Sequence, residues 1–197
     1  MVEPKKGALS EDWLALWIGL AIFVLGLGAL LGYNILGWGV KTSVWVDASK
    51  AIAAASAAFK GMSGLTSLFL TYVFLLVAML IAAKAMGANI GKFILGFTLV
   101  FWISYACWFI GHYAYIAATP DAVGKYGISW SLKLTGEAGF IVALLVGLVI
   151  GNFFPKLVAV MSEAARPELY IKTAIVILGA GLGAKAAESL GLASAVL

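Results

Sequence analysis

The residues of this 197-residue chain that could do chemistry are few and scattered. Glu137 opens one apolar block and Asn152 stands near its far end. A carboxylate inside a bilayer is expensive and marks proton or cation coupling by default. At headgroup level the same Glu137 would only complement the positive end of a helix. Asn152 offers either a polar contact in a cavity or a helix stop. Arg166 and Lys172 flank the start of the last apolar block. There they would draw an anion toward a helix N-terminus, or simply flank a membrane segment, with Lys172 paired to Glu168 at i,i+4 spacing.

The glycines Gly179, Gly181 and Gly183 carry the sharpest expectation. Twelve uncharged residues separate Lys172 from Lys185, whereas a full crossing takes about 20. A short, glycine-interrupted apolar segment signals a discontinuous helix whose opened backbone lines a substrate or ion path. The plain alternative is close helix packing through Gly179 and Gly183, with the lysines snorkelling to the interfaces.

Other chemistries lack their parts. His112 is the only histidine and Cys107 the only cysteine, so neither a disulfide nor a metal or haem site is expected within the chain. A quinone- or haem-bearing anchor would need ligands from partner chains, and His112 reads as a packed or interfacial side chain. The Gly179-Ala-Gly181-Leu-Gly183 run lacks the preceding strand and the acidic residue that a dinucleotide loop requires. No nucleophile triad, zinc spacing or P-loop appears. The expectation is therefore a protein that is not an enzyme and carries no cofactor.

The surroundings of these residues are apolar. Hydrophobic residues make up 63% of the chain and charged residues 11%, far below the roughly 25% charge of soluble domains. The net charge of +4 comes from scattered residues, not from a patch that would bind nucleic acid. The class is an all-α, polytopic integral membrane protein of about five helices. The first block runs from about Trp13 to Leu36; it is too long for a signal peptide, and its Gly28 and Gly32 form a small-xxx-small pair. Residues 41–60, Ala-rich but charged, read as an interfacial or loop-capping helix. Spans follow at about Leu65–Ala83 and Phe93–Ala117, joined by the Met86–Asn89 turn, so these two should be antiparallel neighbours. A fourth runs from about Glu137 or Gly139 to Phe154, with Gly147 and Gly151 set for packing, and a fifth starts near Leu169. Residues 1–120 thus form about three N-terminal spans, 121–136 a polar linker, and 137–197 a second set. The lysines divide too evenly to fix orientation.

The stretch from Ile141 through Gly147 and Gly151 to Asn152, followed by Phe153-Phe154-Pro155, resembles the opening core helix of the YeiH-type sulfate exporter family. The run from Arg166-Pro167-Glu168 through Gly179-Ala-Gly181 to Gly191 resembles that family's next helix, and Gly136-Glu137-Ala-Gly-Phe140 resembles the join in its longer members. The resemblance is carried by residues 136–197. It implies a multi-pass protein of the bacterial inner membrane, built as the first part of an inverted-repeat transporter, and export of sulfate or a related small inorganic anion. Members are much longer, so a second half of the site would come from further chain, another subunit or a homo-oligomer. A non-transporting membrane subunit or assembly scaffold is the reading that competes with transport.

Overall fold

The computed structural model describes residues 10–28 and 32–194, the last eleven of them as backbone. Seven α-helices and one small antiparallel ribbon make up the fold among these residues. They are α1 (Glu11–Leu27), β1 (Val40–Thr42), β2 (Ile52–Ala54), α2 (Gly64–Ala85), α3 (Ile90–Gly111), α4 (Ala114–Ala117), α5 (Ala138–Phe153), α6 (Pro155–Met161) and α7 (Pro167–Ser194). Among the described residues α2 and α3 are long and apolar enough to cross a bilayer, and α5 with α6 adds a third span if the bent pair is counted as one. At 22 residues each, α2 and α3 measure about 33 Å, against a hydrocarbon core of about 30 Å.

Local signals set the helix ends. Ser10, Ser63 and Asn89 cap α1, α2 and α3, their side chains accepting from the amides of Trp13, Thr66 and Lys92. Each cap satisfies a backbone donor that has no partner inside its helix. Glu11 and Asp12 in the first turn of α1 suit the positive end of the helix. Gly87, at φ +72°, lets the chain reverse between α2 and α3, a conformation that costs a residue with a Cβ. The two helices are antiparallel neighbours, as the short Met86–Asn89 connection requires.

The helices converge at one end of the bundle. Leu14 and Ala15 of α1, Ala82 and Ala83 of α2, Phe93 of α3 and Leu169 of α7 form one buried cluster. Phe93, Leu169, Ala82 and Ala83 have no exposed surface. A ladder of aromatic rings leads away from it along α3, with Phe93, Phe97 and Phe101 stacked at about 6 Å centroid spacing. Tyr72 of α2 leans on this ladder and bonds Thr98 at 2.7 Å.

Several expected boundaries move. The first helix ends at Leu27 rather than near Leu36, and Gly28 is crowded by Tyr33 and Ile35 of its own chain, while Gly32 sits at φ +83° with open space around it. Gly28 ends the helix and Gly32 takes a left-handed conformation, and neither meets another helix among the described residues. The close approach on α1 is instead at Gly19, where an added Cβ would lie 2.8 Å from Val176 of α7. The third helix stops at Gly111 because His112 turns the chain; its Nδ1 donates to the Trp108 carbonyl at 2.8 Å and its ring is buried against the Trp108 indole.

Residues 41–60 hold the ribbon and two short 3-10 turns, Ala48–Lys50 and Ala57–Phe59, instead of an α-helix. Val40 pairs with Ala54 and Thr42 with Ile52. Docking overrides the helix preference of the alanines. The Val40 amide donates to Thr71 of α2 at 2.9 Å, and Thr42 and Tyr105 of α3 share a hydrogen bond at 3.1 Å. The intervening loop is pinned by Trp45, whose indole N–H donates to the Phe109 carbonyl at 2.9 Å and whose amide donates to the His112 carbonyl at 3.0 Å. Asp47 closes the turn by accepting from the Ser49 hydroxyl and amide, bonds that hold its carboxyl below the usual range. The ribbon thus caps the ends of α2 and α3.

The antiparallel α3–α5 contact is made through glycine. Gly111 lies directly against the backbone of Gly139, and a Cβ on Gly139 would stand 2.9 Å from the Trp108 ring. Gly139→Leu is therefore expected to cost about 1–3 kcal/mol by overpacking, lowering the thermal midpoint of the detergent-solubilised protein, whereas Gly61→Ala, in open space, should leave the midpoint unchanged.

Candidate functional site

The break in the membrane helices lies at Phe154, not at the glycines of α7. The 16 residues of α5 span about 24 Å, less than the hydrocarbon core. At Phe154 the chain bends by 112° into α6. Pro155 is the first residue of α6, where its missing N–H costs nothing and its fixed φ starts a helix. By contrast α7 runs unbroken through Gly179, Gly181 and Gly183.

The bend encloses space. Close to its start α5 is held on α3 by Gly139, and α6 returns to α3 at Gly96, where an added Cβ would lie 3.0 Å from the Val160 carbonyl and 3.1 Å from Ala164. Between these contacts α5 stands off from α3, leaving a cavity of about 230 Å³. Ser104 and Cys107 of α3, Gly147 and Gly151 of α5, and Val158 and Met161 of α6 wall it. Nothing lies within 4 Å of a Cβ at Gly147 or Gly151, so this pair keeps room beside the bend rather than packing a helix. A larger cavity of about 710 Å³ lies beyond α3 and is lined by Phe97, Tyr105 and Trp108 of α3, Phe140 of α5, and Tyr170 and Thr173 of α7. Val100, Ser104 and Ala143 border both cavities.

The charged residues gather elsewhere, at the convergent end. Arg166 lies 2.5 Å from the Glu11 carboxylate, donates through Nε to the Glu163 carbonyl at 3.1 Å, and touches the Met86 sulfur at 3.5 Å. Glu163 in turn accepts from the Asn89 amide at 3.1 Å. Lys172 contacts Asp12 at 2.6 Å and Glu168 at 2.9 Å. These bonds tie α1, the α2–α3 turn and the α6–α7 loop to the first turns of α7. The Tyr170 hydroxyl closes the loop by donating to the Ala164 carbonyl at 2.5 Å.

The expected site residues accordingly fall in separate places. Glu137 is exposed at the N-cap of α5, with no side-chain capping bond. Asn152 donates to the Leu148 carbonyl of its own helix at 2.7 Å, about 22 Å along α5 from Glu137. Arg166 and Lys172 are engaged with carboxylates at the convergent end. Gly179, Gly181 and Gly183 have no atom within 4 Å of where a Cβ would stand. Residue types alone did not point to Ser104, the hydroxyl common to both cavities; its only signal is a small polar residue set in the aromatic run of α3.

These features define a multi-pass α-helical membrane protein whose helices include a bent, discontinuous pair beside a cavity. The chain is 37% identical over 186 residues to the UPF0324 membrane protein NE0724 of Nitrosomonas europaea, a match covering 93% of this chain and 38% of that protein. The chain thus spans well under half the length of the curated relative it matches. No family model matches the sequence, and no solved structure matches it.

The ion pair between Arg166 and Glu11 is about one-third exposed, with side-chain exposures of 27% and 34%, and should be the stronger of the two clamps. In a double-mutant cycle on unfolding, Arg166→Ala with Glu11→Ala should give a coupling of about 1 kcal/mol. The more exposed Lys172–Asp12 pair should give a smaller one. Equal, negligible couplings for both would show that apolar packing, at Gly19 and in the Leu14–Leu169 cluster, holds α1 to α7.

Proposed function

We propose that this chain is part of a secondary membrane transporter that exports a small inorganic anion, sulfate or a related oxyanion, across the bacterial inner membrane, and that it is not an enzyme. The observation that carries the reading is the α5–α6 bend at Phe154 beside its cavity. Non-helical backbone at membrane depth is tolerated where protein buries it or where it lines a cavity, and transporters build their binding sites from such broken helices. The resemblance of residues 136–197 to the sulfate exporters supports the same assignment, and the relative's greater length supports a larger assembly.

In this reading α5 and α6 form one wall of a midplane site. The wall supplies the Ser104 hydroxyl and the backbone beside the bend. It supplies no cation, since no charged side chain lines the smaller cavity. The counter-charge to the anion would come from the facing half, contributed by further chain or a second copy. Alternating access would then move the Phe154 apex of the α5–α6 unit between its two contacts with α3, at Gly139 and Gly96, while α1, α2, α3 and α7 stay clamped. A competing reading, a non-transporting scaffold, draws support from the broad apolar faces of α5 and α7, where Leu144, Phe153, Ile175 and Leu178 are exposed.

Sulfate efflux from proteoliposomes holding the whole protein separates the two. Gly151→Leu, which fills the space beside the bend, should lower efflux at least tenfold without changing membrane insertion. Unchanged efflux would remove the α5–α6 cavity from the path, and absence of efflux from the unaltered protein would favour the scaffold.

A further inference from the structure

We propose that the larger cavity, between α3, α5 and α7, holds one acyl chain of a bilayer phospholipid. The chemistry of its lining excludes a hydrated anion. No charged side chain borders it. Three of its hydroxyls are already committed: Tyr105 shares a bond with Thr42 at 3.1 Å, Tyr170 donates to the Ala164 carbonyl at 2.5 Å, and Thr173 donates to the Leu169 carbonyl at 2.7 Å. Only Ser104 remains to meet a polar ligand. An anion entering here would lose its hydration shell with no set of donors to replace it.

The space opens onto the apolar outer surface and measures about 710 Å³. Cavities of this size with mostly apolar, aromatic walls are the ordinary setting of apolar ligands. The dimensions suit a lipid tail. The lining runs along α7 from Pro167 to Ile177 and along α3 from Phe97 to Trp108, which is about 15–17 Å in each case. That is half of the roughly 30 Å hydrocarbon core, the depth of one leaflet.

The cavity also has an apolar entrance. Phe140 on α5 and Ile171 on α7 line it and are 66% and 58% exposed. They continue outward into Leu144 and Ile175, at 64% and 60%. These are the faces that a bilayer wets. A tail can slide in sideways between α5 and α7 without crossing a polar barrier, while its headgroup stays at the interface. Because α5 packs on α3 and α7 packs on α1, the tail would bridge two helices that have little other contact.

The test weighs the whole protein, extracted in a mild non-ionic detergent, by native mass spectrometry. One phospholipid per chain should persist through washing that strips loosely bound lipid. Ala174→Phe, whose side chain would fill the cavity, should reduce that occupancy at least fivefold. Ala174→Leu gives a gentler version should the first variant fail to fold. Val77→Phe, on the exposed face of α2, should retain the lipid fully. The proposal falls if the unaltered protein keeps no phospholipid. It also falls if folded Ala174→Phe or Ala174→Leu retains as much as the unaltered protein, or if the retained molecule has no acyl chain. Retained mass, not flux, decides the matter, so its failure is distinct from failure of the transport reading.

Discussion

The convergent end of the bundle is the constraint on which the rest depends. Inside a bilayer, apolar surface gains little from choosing a helix over a lipid, so packing detail and polar bonds decide which helices associate. Here the Arg166–Glu11 and Lys172–Asp12 contacts, the Glu163–Asn89 bond and the buried Phe93–Leu169 cluster all fall at one level. They fix the start of α7 against α1 and against the α2–α3 turn. The register of α1 on α7 then follows from one close approach, Gly19 on Val176. The opposite end of α2 and α3 is closed differently, by the ribbon and the Trp45 anchor.

With both ends of the α2–α3 hairpin held, α5 is the helix whose course leaves space beside α3. It touches α3 firmly near its start, through Gly139, and leaves it farther on. The two cavities are the two sides of that departure, and Val100, Ser104 and Ala143 stand between them. One side is small, bordered by glycine and the bend; the other is larger and apolar apart from the Ser104 hydroxyl.

The long apolar helices were legible in the sequence because their signals are local. Uninterrupted runs, the Ser63 and Asn89 caps and Gly87 between them are all read within a few residues. The ribbon was hidden because the alanines of 51–58 prefer helix, and only docking onto Thr71 and Tyr105 reverses that preference. The break was half legible. Pro155 marked the end of α5, but a proline at the first helical position also opens the next helix, and sequence does not state the angle between them. The glycines at 179–183 suggested a break because Lys172 and Lys185 bounded too short an apolar stretch. In the structure Asp12 and Glu168 pair with Lys172, so its charge does not end the helix. The Arg166–Glu11 pair spans 155 positions, and no local pattern announces it. The site residues chosen for their chemistry were scattered by the fold, while Gly147 and Gly151, expected to pack, border open space.

The joint at Phe154 has a mechanical consequence. Two rigid helices meet there through a single residue, with φ −125° and ψ +61°, and both far ends are anchored, one at Gly139 and the other at the Arg166 loop. A lever pinned at both ends and hinged between them has its angle set by what occupies the wedge, not by the hinge. Any change in the volume of the small cavity would therefore have to be taken up at the Phe154 apex, the one joint between the two anchors. The apex is the most exposed part of this arm, with Phe153 at 74%, so the motion would be felt first by whatever surrounds the protein there.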